Sequence, residues 1–158
     1  MKLLLLLWTA LLPFGAFAQS WTYNTTTDPM TSRTTKTAVL ESPKSLSLRS
    51  PYEGRNIPRL YVRQHPQWGT NVYVTIDQGQ ILCRSYEPCR IMVRFDSGEP
   101  SVFNGIGAED GSSEIFFFQN HNRAITNLKK AKRILIQVPV YQDGVQLLEF
   151  SASKPLEW

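Results

Sequence analysis

Two cysteines, Cys83 and Cys89, stand in the stretch LCRSYEPCRIMVRFD. A structural zinc site takes about four Cys and His ligands. The chain has two histidines, His65 and His121, and both are remote from the cysteines in sequence. A thioredoxin-like redox centre carries C-x-x-C in a βαβ setting, and this spacing is longer. An even cysteine count in a chain that opens with an export signal reads as a disulfide. Glu87-Pro88 supplies part of a turn, so a Cys83–Cys89 bond would tie two strands at its base. Chain entropy gives so small a loop about 2 kcal/mol of stabilisation. A structural disulfide is therefore expected here.

Other reactive patterns are missing. A serine hydrolase needs a serine, a histidine base and usually a carboxylate, yet GSSE (residues 111–114) has no G-x-S-x-G elbow around it. His65 falls in the turn-like QHPQWG and His121 at a helix start, each without a partner motif. A glycosidase sets two carboxylates across a sugar, but nothing in the spacing of Asp96, Glu99, Glu109, Asp110 and Glu114 selects a pair. GAEDGSSE lacks the D-x-D-x-D-G cation pattern, and NGIG (residues 104–107) reads as a glycine turn. No catalytic residue, cofactor or metal ligand is expected. Binding is the remaining chemistry. A small tied loop has little room to bury a ring, so Tyr86 is expected at its tip beside Arg84, and both residue types are enriched at binding hot spots. In VRFD, strand alternation puts Arg94 and Asp96 on one face and Val93 and Phe95 on the other. Arg94 would then pair with Asp96 or Glu149, as a surface ion pair or as part of a recognition face.

The elements that hold these residues begin after an apolar leader. Lys2, the run Leu3–Leu12, the breakers Pro13 and Gly15, and the Ala16-Phe17-Ala18 pattern read as a signal peptide cleaved before Gln19. The run is short of the roughly 20 residues that span a bilayer, so no stable membrane insertion is expected after cleavage. Loss of Lys2 lowers the net charge of +4 by one. The basic residues are scattered except for Lys129, Lys130, Lys132 and Arg133, which read as a solvated helix end. A nucleic-acid partner is not expected, because such proteins concentrate charge on one face. The location implied is periplasmic or secreted.

Residues 19–158 then read as one domain. Trp21 and Tyr23 alternate like strand residues. TTKTAVL, RLYVRQ, NVYVTID, RIMVRF, SEIFFF, ILIQVPVY and QLLEF carry β-branched or alternating patterns. SLSL, QILC and PSVFN are weaker candidates. Pro139 suggests an edge or bulge, and Asp143-Gly144 a hairpin. Ala124, Ile125, Leu128 and Ala131 keep helical spacing, which predicts one amphipathic helix of about three turns capped by Asn120 or Asn122. The sum is mainly β: an antiparallel β-sandwich, or a partly open barrel, of about eight strands with one short helix.

A family resemblance joins these pieces. WTYNTTTDPMT after the leader, VTIDQGQILC, CRIMVRFD, LKKAKRILIQVPVYQDG and the terminal LEFSASKPLEW occur in that order. The order resembles small exported bacterial proteins associated with type VI secretion, the TagO-like group, and similar prophage-encoded envelope proteins. The resemblance implies a periplasmic β-sandwich with an accessory, non-catalytic role, and it carries over no catalytic residue. The expected partner is another envelope protein. An exported inhibitor of a cell-wall hydrolase is the alternative, and an envelope glycan-acting enzyme is the second alternative.

Overall fold

The computed structural model describes residues 19–158. The expected signal peptide, residues 1–18, lies outside the described residues. The described residues form nine strands: β1 Thr22–Thr27, β2 Thr34–Glu41, β3 Arg59–His65, β4 Gly69–Thr75, β5 Cys89–Phe95, β6 Ser101–Gly107, β7 Ile115–Phe118, β8 Arg133–Val140 and β9 Gly144–Ser151. They make one sheet in the order β1-β2-β3-β4-β7-β6-β5-β8-β9, with antiparallel pairing at every step. The sheet curls back on itself. Gln19, just before β1, forms a parallel bridge with Ala152, just after β9. The expected mainly β architecture is thus a partly open barrel made from a single sheet.

Strand alternation sets which face is inside. Leu60 and Val62, Val72 and Val74, Ile91 and Val93, Phe116 and Phe118, Ile134, Ile136 and Val138, and Leu148 and Phe150 are buried at every second position. Burying each such side chain contributes about 2 kcal/mol.

Both ends of the barrel need covering. At the Ile134 end of β8 lies the helix α1, His121–Leu128, whose Ala124 and Leu128 are buried. These two residues line the same small apolar void as Phe95, Phe118 and Ile134. Asn120 is the cap, its side chain accepting from the Arg123 amide. The helix is shorter than its periodicity predicts. The amides of Lys132 and Arg133 donate to the Asp96 carboxylate, which draws the chain out of the helix and into β8. Lys129 and Lys130 stay exposed, while Arg133 pairs with Glu149.

At the Val140 end the cover is irregular. Residues 42–58 hold three prolines and form no strand, so SLSL is not one. Its leucines Leu46 and Leu48 are nevertheless buried in the common core. A Cβ at Gly79 would sit 2.7 Å from Leu48 Cδ1, so the glycine gives that leucine its seat. Asn56 is fully buried and locks this segment. It donates through Nδ2 to the Gln78 carbonyl and accepts at Oδ1 from the Asp77 amide. Its own amide donates to Ser45 Oγ, and its carbonyl accepts from the Leu46 amide. Lys44 meets Glu149 of β9, and Arg59 meets both Glu41 and Asp77.

QILC is also not a strand. Ile81 makes one isolated bridge to Val140, and the chain then turns away. PSVFN, conversely, continues into β6 and takes NGIG with it, so the expected glycine turn is strand. Pro139 lies near the end of β8, and its carbonyl accepts from the Leu82 amide. Its ring nitrogen points the same way, so the ladder to β9 keeps its donors. Asp143-Gly144 does close a hairpin, across the turn Tyr141–Asp143, with Val140 opposite Gly144.

Two outcomes follow. Asn56→Ala strands the Asp77 amide and the Gln78 carbonyl in the interior. It should cost about 2–3 kcal/mol in chemical denaturation; a loss under about 0.5 kcal/mol would contradict the locking role. Glu149 is held below its ordinary 4.5 by the Lys44 hydrogen bond, then by Arg133, with burial acting the other way. A lowered folded value gives stability that is complete above pH 4.5 and lost as pH falls through the folded value. Glu149→Gln should therefore flatten the acid limb of a stability–pH curve, and an unchanged limb would count against the assignment.

Candidate functional site

Cys83 and Cys89 form the expected disulfide, with Cα atoms 5.1 Å apart. The chain entering the loop they close is strapped to the barrel. The Ile81 amide donates to the Ser113 carbonyl and the Leu82 amide to Pro139, while Arg84 accepts from the Gly107 amide. Cys83 is buried and Cys89 half-buried, so the sulfurs face the protein and the tip faces water.

The two glycines of β6 make this close seating possible. A Cβ at Gly105 would lie 2.9 Å from Cys89 Sγ, and one at Gly107 would overlap the Cys83 carbonyl oxygen. Glycine inside a strand often marks a close backbone approach. Here it marks the loop lying on β6.

The tip carries what the sequence suggests. Tyr86 is 77% exposed. The Arg84 guanidinium carbon lies 5.8 Å from the Tyr86 ring centre, and its Nη1 lies 3.9 Å from Glu87 Oε2. Arginine thus stands between a ring and a carboxylate, on a loop whose conformations are limited by the cross-link at its base. Beneath it opens a cleft of about 790 Å³ that also takes in Leu82, Arg90, Ser112, Ser113 and Pro139.

Arg94 and Asp96 lie elsewhere. They sit at the far end of β5 from the loop, roughly 20 Å away at the ordinary strand rise. Arg94 pairs with neither Asp96 nor Glu149. Its Nε donates to the Gly98 carbonyl, and Asp96 accepts the Lys132 and Arg133 amides. Asp96 has left the strand, with φ of 49°, so alternation no longer governs where it points. Both side chains serve the turn after β5, and the four candidate residues form two separate groups.

The remaining polar candidates are also spread out. His65 stacks on Trp68 at 4.0 Å in the β3–β4 hairpin, and His121 opens α1. Asp110 accepts the Ser112 amide, which holds its carboxyl below the ordinary value and closes its own turn. Among the described residues no group of three or more His, Cys, Asp or Glu side chains could hold a metal ion.

Sequence reasoning missed the apolar surface beside the loop. Val145 and Leu147 of β9 are 65% and 52% exposed, and Leu82, Met92, Val102 and Tyr141 are exposed too. Register lines up Val102, Met92, Gln137 and Leu147 across β6, β5, β8 and β9, with Val145 opposite Pro139 at the cleft rim. The signal lay in the alternation itself. Met92 shares a face with Arg90 and Arg94, and Leu147 sits beside the buried Leu148, so each has to point outward.

On the other half of the barrel the outer face is aromatic and already satisfied. Tyr61 stacks on Tyr73 at 4.7 Å, Tyr73 tilts against Phe117, and the Arg63 guanidinium lies over both Tyr73 and Trp68. Burial raises the Tyr73 hydroxyl above its ordinary value.

Comparison with protein-family models, curated proteins and solved structures found no match.

Seating of the loop on β6 is open to test. Gly107→Ala drives a methyl into the Cys83 backbone and should cost about 2–3 kcal/mol. Gly111→Ala, at an open turn with nothing within 4 Å, should cost about 1 kcal/mol from its positive φ alone. Equal losses would show that the close approach at Gly107 is unimportant.

Proposed function

We propose that this protein is a non-catalytic, exported binding module of the cell envelope, and that another envelope protein is its partner. The observation that carries this reading is the tied loop. Arg84 and Tyr86 stand exposed on a short segment that is cross-linked at its base and hydrogen-bonded to β6, β8 and the segment before β7. A tip ordered in advance loses little entropy when it binds. The exposed strip Val102, Met92, Gln137 and Leu147 extends the same surface, and exposed apolar side chains grouped on one face mark interaction sites. The loop and the strip together give an aromatic and arginine anchor beside an apolar floor, the make-up of a protein-binding hot spot. The resemblance to TagO-like and prophage-encoded envelope proteins agrees with an accessory role in a secretion system or prophage.

Inhibition of a cell-wall hydrolase is the second reading. It is favoured by the projecting tyrosine and by Arg84 and Arg90 on one cleft, which suit an acidic active-site groove.

Affinity capture from an envelope extract tests the surface. The purified protein should retain a defined partner. The double variant Arg84→Ala, Tyr86→Ala should lose that capture by about tenfold or more with its melting temperature unchanged, and Leu147→Lys should weaken it independently. Capture undiminished in both variants would refute this surface. Recovery of a lysozyme-like enzyme would select the inhibitor reading.

A further inference from the structure

The sheet has two end strands, β1 and β9, and the fold treats them differently. Beside β9 runs the 42–58 segment, with Lys44 on Glu149 and the Arg49 amide on the Asp143 carboxylate. Beside β1 lies the C-terminal tail, whose Glu157 amide donates to the Tyr23 hydroxyl and whose Trp158 shares a shallow pocket with Asn24 and Thr25, but among the described residues none takes the backbone groups of that edge. All six residues of Thr22–Thr27 are exposed, and their backbone ladder runs to β2 alone among the described residues. The β1–β2 ribbon is nonetheless well formed. Its turn is closed by Asp28, which accepts the Met30 and Thr31 amides, and by the Asp28–Arg33 and Ser32–Asp28 backbone bonds.

Native sheets guard an open edge with charge, proline, a bulge or a short strand. TYNTTT has none of these. It is uncharged, free of Pro and Gly, unbroken in register over six pairs, and rich in β-branched threonine. Such a strand is a template for another strand.

We propose that β1 pairs antiparallel with β1 of a second copy of this chain, joining the two sheets across a two-fold axis. Self-pairing satisfies the open edge of both copies with one set of contacts. It also brings no like charges together, because the strand carries none. A two-fold axis normal to a continuous sheet keeps outward residues outward, so it must set a residue opposite its own copy. That leaves registers centred on Asn24 or on Thr25. Centred on Asn24, the outward amide meets its twin, and Thr22 and Thr26 flank it as threonine pairs, which stabilise cross-strand contacts. An edge of six residues buries less surface than a permanent dimer needs, so the association is weak and concentration-dependent.

Sedimentation equilibrium on the purified protein tests the pairing. The wild type should show reversible monomer–dimer exchange, and the amides of β1 should gain hydrogen-exchange protection as concentration rises. Asn24→Lys and Asn24→Glu should each weaken the dimer by about tenfold or more. Both side chains are exposed, so melting temperatures should not move. Mixing the two variants should restore a heterodimer. A wild type that stays monomeric through the millimolar range overturns the proposal. So does a dimer that persists equally in both variants, or one whose β1 amides gain no protection. Capture through Arg84 and Tyr86 is read separately, so either result stands without the other.

Discussion

One curled sheet has to enclose its own apolar face, and everything else in this protein answers that requirement. Among the described residues no second sheet lies across the core, so the strands bend until the segment before β1 meets the segment after β9. The open ends are then filled by dissimilar pieces. α1 supplies Ala124 and Leu128 at one end, and the irregular 42–58 segment supplies Leu46 and Leu48 at the other. An irregular cover carries backbone groups that need partners once buried. Asn56 provides them, bonding in four directions, and so acts as the polar centre of an otherwise apolar closure.

The tied loop depends on the same economy of space. β5 and β6 are neighbours near the middle of the sheet, and the chain entering β5 must cross the rim of the barrel. Gly105 and Gly107 remove the side chains that would hold it away, so the disulfide rests on β6 and the tip is thrust outward. A local packing concession thereby produces the most exposed tyrosine of the described residues. Structure and proposed recognition share one cause.

The outer surface divides along the sheet. Over β3, β4 and β7 the aromatic rings stack on one another and on Arg63, so the face is self-contained. Over β6, β5, β8 and β9 the apolar side chains stand beside charged or amide neighbours and remain open to solvent. The two end strands repeat this contrast, since β9 is flanked by ion pairs while the backbone edge of β1 has no partner strand among the described residues. The surfaces proposed for recognition are thus the parts of the barrel that the fold leaves unsatisfied.

Local chemistry was legible in the residues alone. Alternation in RLYVRQ, NVYVT, RIMVRF and RILIQVPV names strands and their inward faces, because the two-residue period of a strand is a property of the backbone. The cysteine pair, a helix cap at Asn120 or Asn122 and the Asp143-Gly144 hairpin are likewise short-range and were readable. What the tertiary structure alone decided is long-range. Strand order, closure of a single sheet in place of a sandwich, the strand identity of NGIG and the role of Asn56 all depend on partners far away in sequence. Gly105 and Gly107 are glycines because of a loop some twenty residues earlier, and Asp96 turns away from Arg94 because the amides of β8 wait for it. Periodicity tells a residue which side it faces, but only the folded chain tells it what is there.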